Sequence, residues 1–415
     1  MNVLILGSGG REHALAHAVS KSKLLTNLCV IPGNPGIEEI AKCIEIDPLN
    51  NELIKEFCAK EKIDLIIPGS EVFLENGIAD TFKDTNVLVF GPTKQAALIE
   101  SSKEYAKDLM KKHDIPTAEY QVFKDYQKAK DYITEKGAPI VLKYDGLAGG
   151  KGVVVCNTLE EAYKTIKEML LDKMFGDDAV VIEECLTGPE FSFMTFVHDG
   201  IVIPMPIAQD HKRLLDNDLG PNTGGMGIYS PVPIIDNQII EQSYKEVMIK
   251  TVNALIKENN SFTGFLYGGL MLTDKGPKVI EFNARFGDPE TEVILPNLES
   301  DILGIIFNLF NGIKTSVSWN TDYYVGVVLA SKGYPKSYDK GFLIEGLDEL
   351  KDMVYHMGTK KEGKNIVTNG GRVLLVLGNG KTLEQAQNDA YNNVNKIKCS
   401  NLVYRTDIGN NSLKG

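Results

Sequence analysis

Arginine is scarce in this 415-residue chain: among 44 lysines and arginines, only Arg11, Arg213, Arg285, Arg372 and Arg405 carry a guanidinium. A planar fork grips carboxylate or phosphate bidentately, whereas an ammonium acts as a point charge, so a lysine-rich chain should keep arginine where the fork matters. All five lie in or beside glycine- or aspartate-bearing segments. Cysteine is sparse and scattered, at 29, 43, 58, 156, 185 and 399, without a C-x-x-C pair. That spacing excludes a disulfide framework and a thiolate metal site, and leaves reduced thiols. An excess of positive charge is also missing, because the net charge is -12. A nucleic-acid partner, which needs a basic face, is therefore not expected. Small phosphorylated ligands remain open, since charge is screened over ~8 Å and a local cluster decides. No apolar run reaches membrane-spanning length, and MNVLILGSGG is a short strand before a glycine turn rather than a signal peptide. No membrane association and a cytoplasmic location follow as expectations.

What is present reads as a globular protein of 43% hydrophobic content, too long for one core, with two or three domains expected. The first hundred residues alternate apolar strands (NVLIL, LCVI, DLIIPG, VLVFGP) with amphipathic stretches, the rhythm of a parallel sheet with flanking helices. Three glycine turns, at 7–10, 33–36 and 69, fall at strand ends, where such sheets bind ligands. A dinucleotide fingerprint would need a third glycine at position 12, where Glu12 stands.

From Thr93 a long helical stretch through Lys112 is expected, then a second ending near Lys136. An antiparallel α+β lobe follows, with the capping box Thr158-x-x-Glu161 and the hairpin turn His198-Asp199-Gly200. Beyond it come helices around 236–258 and 299–310, the hairpin GFLYGGLML and KVIEFN, and a last small region with strands at 323–332 and 371–378. The Asn-rich tail after Gly409 is expected to be disordered. The domains are thus expected at 1–100, 101–316 with a mobile lobe at about 118–190, and 317–415.

The segment Glu281-Phe282-Asn283-Ala284-Arg285-Phe286-Gly287-Asp288-Pro289-Glu290 is the most informative. Strand periodicity puts Glu281 and Asn283 on one face. A carboxylate and an amide oxygen suit Mg²⁺, which takes few protein oxygens and completes its octahedron with water and nucleotide phosphates. The loop Asp145-Gly146-Leu147-Ala148-Gly149-Gly150-Lys151-Gly152 lets backbone amides approach phosphates, with Lys143 on the entering strand to neutralise them. It is not a P-loop, because Lys151 precedes a glycine and a strand.

Lys103, Lys143, that loop, Glu183-Glu184-x-Leu186, Glu190 and Glu281-x-Asn283 together resemble, in this order, the nucleotide site of the ATP-grasp ligases, in which two antiparallel lobes clasp ATP. The resemblance implies that Lys103, Lys143, Gly149 and Gly150 meet phosphates. It further implies that Glu183, Glu184 and Leu186 meet the adenine, Glu190 the ribose, and Glu281 with Asn283 a Mg²⁺ or Mn²⁺ ion. One departure is that GFLYGGLML offers only Gly268 and Gly269 where the wider superfamily commonly carries an acidic ligand.

The segments 7–14, 209–213, 221–227, 285–290 and 368–372 are similar, essentially end to end, to the phosphoribosylamine-glycine ligases. Ser70 and Phe73 in a substrate loop, and Glu292 where glutamine is common, are departures. The fold implied is a Rossmann-like α/β parallel-sheet domain, an ATP-grasp domain of two antiparallel lobes and a small C-terminal α+β domain. The implied reaction joins glycine to 5-phosphoribosylamine with ATP, through a glycyl phosphate.

Substrate contacts are then expected from Gly9, Gly10, Asp210, Lys212, Arg213, Asn222, Gly224, Gly225, Arg285, Asp288 and Arg372, with Arg285 and Lys143 catalytic. Arg285 or Arg213 would take the glycine carboxylate, and Asp210 or Asp288 its ammonium. Gly224 and Gly225 would offer amides to an anionic oxygen, and loop 7–11 with Gly370-Gly371-Arg372 would hold the 5-phosphate. His13 and His211 are expected to be structural. Partners are these small molecules, and a monomer is the expected state. Competing readings are another ATP-grasp enzyme of the purine pathway, a nucleotide sensor without turnover, and a hydride-transfer enzyme built on the first sheet.

Overall fold

A computed structural model of the chain describes residues 1–146 and 152–413. The apolar runs of the first ninety residues form a parallel sheet in the order Lys42–Cys43, Asn27–Pro32, Asn2–Gly7, Leu65–Pro68, Leu88–Val89. In the central strand every residue from Val3 to Gly7 is buried, as a parallel sheet covered on both faces requires. Chain order reverses on the two sides of that strand, so the crevice beyond Gly7 and Gly69 is the topological switch point where ligands collect.

Two antiparallel sheets follow. The smaller is ordered Tyr120–Phe123, Val180–Glu184, Ile140–Tyr144, Val153–Cys156, and the helices Tyr126–Lys136 and Leu159–Leu170 cover it. Its core of Ala129, Ile133, Leu142, Ile166 and Ile182 is separate from the rest of the apolar interior. Thr158 and Glu161 form the expected capping box. The larger sheet is ordered Ile201–Pro204, Glu190–His198, Thr263–Thr273, Gly276–Asn283. Its first hairpin turns at Asp199 and Gly200, both at positive φ.

The last sheet crosses the chain order: Gln209–Asp210 and Gly227–Ser230 pair beside Tyr323–Ser331, which pairs with Arg372–Gly380 and then Val354–His356. A boundary at residue 317 therefore follows the chain but not the sheet, and Asp210 is carried on the C-terminal sheet.

Two local expectations are corrected. The helical stretch from Thr93 is broken at Ser102, which is extended (φ −122°, ψ 113°) between Leu98–Ser101 and Lys103–Lys112. The Ser102 hydroxyl accepts from the Tyr105 amide, and the Asp145 carboxylate accepts from the amides of Lys103 (2.5 Å) and Glu104 (3.1 Å). Both contacts fix a new helix start. The tail is ordered to Leu413 as a short helix, Asn410–Leu413. Ser412 bonds the Tyr229 hydroxyl at 2.7 Å and Asn410 accepts from Gln387 at 2.8 Å, so a polar composition has partners here. Among the described residues no helix is long and apolar enough to cross a membrane, and all six cysteines are free thiols.

Candidate active site

The strand Gly276–Asn283 runs antiparallel to Thr263–Thr273, with Glu281 facing Gly269 and Asn283 facing Tyr267. The register slips between Gly269 and Leu270, and this bulge leaves the Ile280 carbonyl outside the ladder, where it accepts from Lys143 Nζ at 2.8 Å. The row Ser192, Gly269, Glu281 confirms that the neighbouring strand puts no carboxylate opposite Glu281.

Burial alone would raise the Glu281 carboxyl, yet Lys212, Lys143, Lys103 and Arg285 outweigh it and hold the group below its usual range. An ionised carboxylate is thus ringed by four cations, and among the described residues no hydrogen bond occupies it. Among the described residues no group of three or more His, Cys, Asp or Glu could hold a metal. A two-oxygen set, Glu281 with Asn283, fits a hard divalent cation that takes its remaining ligands from phosphate and water, and does not fit zinc.

Lys103 and Lys143 approach this carboxylate from different elements. Lys103 opens the helix Lys103–Lys112, and burial lowers its ammonium despite Glu281 and Asp145. Lys143 is buried, with its ammonium 3.1 Å from Glu183 Oε1. Glu183, expected at the adenine, turns its side chain inward and bonds Lys107 at 2.8 Å through the other oxygen. Glu184 is exposed and pairs with Lys278 at 2.7 Å, Leu186 is half-buried, and Glu190 pairs with Lys212 at 3.3 Å. Gly149 and Gly150 lie outside the described residues.

A second group lies beside Glu281. A small recess of about 10 Å³, room for about one water, is lined by Glu190, Ser192, Asp210, Lys212, Tyr267 and Ile280. The Asp210 carboxyl is pushed well up by burial and by Glu290, against Lys212 and Arg372, and its Oδ1 is buried without a hydrogen-bond partner among the described residues. Although burial opposes it, the acids and the phenol Glu190, Tyr267, Glu281 and Asp210 hold Lys212 charged. Glu290, missed at the sequence level, accepts from Ser192 at 2.8 Å, and Ser192 bonds Tyr267 at 3.0 Å. Carboxylates outnumber ammoniums in this corner, which suits a cationic guest.

Four of the five arginines turn their forks to the chain's own carboxylates. Arg285 bridges Glu71 (3.2 Å) and Glu100 (3.0 Å), neither of which sequence reasoning singled out, and donates to the Phe286 carbonyl. Arg11 binds Glu12 at 2.8 Å and the same carbonyl at 2.9 Å. Arg372 meets Asp288 at 2.9 Å and the Gly224 carbonyl at 2.5 Å, and buried Arg405 clamps Asp407 and Asp218. Arg213 and Asn222 face each other on an exposed hairpin, where Arg213 donates to the Gly220 carbonyl at 2.7 Å.

Two expectations about backbone donors meet geometry that differs. The Gly224 amide donates to the Tyr334 hydroxyl and the Gly225 amide to Thr223, so neither is free for an anion. Gly225 is required instead for closeness: at φ +109°, an added Cβ would strike Asp210 and Pro289. At the N-terminal loop, Glu12 folds back and accepts from the Gly9 amide at 2.6 Å, and a side chain at Gly69 would collide with it. With the Gly9 amide held by Glu12 and no glycine at position 12, the loop lacks the dinucleotide fingerprint that a hydride-transfer reading needs. Gly9 and Gly10 lie against Asp288 and Glu292. His13 accepts from the His356 amide and His211 from the Gly409 amide, both buried, which is a structural role.

Comparison with known proteins agrees along the whole length. Three family descriptions match in order: phosphoribosylglycinamide synthetase N domain over 1–100, its ATP-grasp (A) domain over 101–291, and its C domain over 324–411. A phosphoribosylamine-glycine ligase of Halalkalibacterium halodurans is 50% identical, over 100% of this chain and 97% of that protein. The crystal structure of a phosphoribosylamine-glycine ligase from Thermotoga maritima superposes with a TM-score of 0.85 at 35% identity, covering 99% of this chain and 100% of that one. The biotin carboxylase domain of a Hydrogenobacter thermophilus 2-oxoglutarate carboxylase shares the fold, with a TM-score of 0.70 at 18% identity over 97% of this chain and 91% of that one. With its α/β N-terminal sheet, its two antiparallel grasp sheets and matches over all three parts, the chain belongs to the phosphoribosylglycinamide synthetase family of ATP-grasp ligases.

Proposed function

We infer that the chain ligates glycine to 5-phosphoribosylamine with cleavage of ATP, giving glycinamide ribonucleotide, ADP and phosphate, a cytoplasmic step of purine biosynthesis. A carboxylate does not condense with an amine at neutral pH, because oxide is too poor a leaving group. Transfer of the γ-phosphoryl to a glycine carboxylate oxygen makes glycyl phosphate. Attack by the 1-amine on the carbonyl carbon then expels phosphate and forms the amide.

One observation carries the reading: a carboxylate in the field of Lys103, Lys143, Lys212 and Arg285 stands beside Asp210, whose buried Oδ1 lacks a partner among the described residues. The first feature suits a metal-charged triphosphate, and the second suits the ammonium of a small amino acid. Lys103 and Lys143 serve the phosphates, Glu183 to Leu186 the base, Glu190 the ribose, and Lys212 the glycine carboxylate. Arg372 with the Gly9-Gly10 turn serves the phosphoribosyl group. Glu281 and Asn283 hold the divalent ion, Mg²⁺ or Mn²⁺, which neutralises phosphoryl charge when bound. Arg285, held by Glu71 and Glu100, keeps positive charge beside Glu281. No side-chain base is required, since alignment of reactants contributes ~7–11 kcal/mol and a general base only ~10²–10⁴-fold.

Substrate-dependent ADP release tests this directly. With 5-phosphoribosylamine present, glycine should support turnover while formate and bicarbonate do not. ADP release with bicarbonate in place of glycine would assign the chain to a different carboxylate.

A further inference from the structure

Lys107 lies one turn beyond Lys103 in the helix Lys103–Lys112 and is buried, with its side chain 3% exposed. Its ammonium donates to Thr117 Oγ1 at 2.8 Å and pairs with Glu183 Oε2 at 2.8 Å. Thr117 in turn donates to the Val279 carbonyl at 2.8 Å, and Lys143, on the far side of Glu183, donates to the next carbonyl, Ile280. A buried Lys-Glu-Lys triad thus joins the helix, two strands of the small lobe, and the two residues that precede Glu281.

We propose that Lys107 is a positioning residue for the nucleotide: by engaging one oxygen of Glu183 it leaves the Lys143 ammonium only half-compensated and aimed at the triphosphate. The proposal rests on the reading of Lys143 as a phosphate contact. A carboxylate shared between two ammoniums leaves the triad one positive charge. Take the proton from Lys107 and Glu183 belongs to Lys143 alone, the triad is neutral, and the attraction for phosphate weakens.

The titration falls within a usable range. Burial, opposed by Glu183, brings Lys107 down to about 8, with Lys143 pushing the same way and Glu184 against. The other charged or titratable groups around it are Tyr120, whose ring centroid is 5.8 Å away, and, on its own helix, Lys103, Glu104, Asp108, which accepts from the Tyr120 hydroxyl, and Lys111. Binding of a non-hydrolysable ATP analogue with Mg²⁺ should therefore weaken as pH rises through 8.

The experiment measures that affinity by calorimetry from pH 7.5 to 9.5, together with KM for ATP and for glycine, in the wild type, Lys107→Arg, Lys107→Met and Lys143→Met. The wild type should lose about tenfold in affinity across the range. Lys107→Arg, which keeps its charge, should stay flat, and Lys107→Met should show the weakened affinity at every pH with KM for glycine unchanged. A flat wild-type profile overturns the proposal without any variant. A decline that persists in Lys107→Arg overturns it too, because the titrating group would then be another, such as Lys103. If Lys143→Met itself leaves nucleotide affinity intact, the underlying reading of Lys143 fails. If Lys143→Met weakens binding and Lys107→Met does not, only the positioning role fails.

Discussion

At the scale of single residues, the cleft is a balance of buried charges, and each charge predicts what its removal does. Glu281 faces Lys212, Lys143, Lys103 and Arg285. Glu281→Ala should lower glycine-dependent ADP release by at least ~10²-fold, since a lost metal contact forfeits several kcal/mol of charge stabilisation. Its melting temperature should stay near that of the parent, because no hydrogen bond of the fold is removed. Near-normal turnover would contradict the metal assignment.

Glu292 makes a different prediction. It is fully buried, both its oxygens lack partners among the described residues, and burial with Asp288 pushes its carboxyl well up against Arg372 and Arg11. A raised carboxyl means the folded state holds a proton that the unfolded state releases, so this group's contribution is full at low pH and lost as pH rises. Glu292→Gln should be close to the parent near pH 4.5, and its advantage in melting temperature should grow toward pH 8. An advantage that shrinks with pH would show the carboxyl to be ionised.

The residue scale also marks where sequence reading stops. Strand parity and a fixed motif order put Glu281, Asn283, Lys103 and Lys143 forward, and the structure brings Lys103 and Lys143 to Glu281. Lys107, Glu71, Glu100 and Glu290 were not, because each acquires its role from a partner far along the chain, such as Glu183 for Lys107. Scarce arginine correctly signalled that forks matter, but most of those forks serve the chain's own carboxylates.

At the scale of elements, local signals were read well and distant ones were not. The Thr158 capping box and the Asp199-Gly200 turn are set by residues within four positions of one another. The break at Ser102 is not, since half of its cause is Asp145, brought in from the far side of the helix and the strand Ile140–Tyr144. Asp145 therefore ties the start of the Lys103 helix to the glycine loop. Asp145→Ala should lower stability by about 0.5–2 kcal/mol, the usual worth of an N-cap. KM for ATP should rise while KM for glycine does not, because the cap sets the position of Lys103 and touches nothing at Asp210. Equal effects on both constants would mean that the cap is only structural.

At the scale of the whole molecule, the fold class followed from alternating apolar runs, whereas the crossing of the last sheet did not. Gln209–Asp210 and Gly227–Ser230 are short, and nothing local says that they will pair beside a strand nearly a hundred residues later. That pairing puts Asp210 on the C-terminal sheet and carries Lys212, in the loop just after it, to Glu281 on the grasp sheet. The small lobe, by contrast, has its own core, held apart from the apolar clusters that run through the other sheets. On the proposed function, a lobe with a private core would close over the reactants and exclude water without unpacking the rest.

On the proposed function the central chemical event is phosphorylation of the glycine carboxylate, and isotope transfer reads it. Glycine labelled with oxygen-18 in its carboxyl group, incubated with the protein, ATP, Mg²⁺ and 5-phosphoribosylamine, should deliver one labelled oxygen to the released phosphate in each turnover. Phosphate released at the normal rate without label would contradict the account.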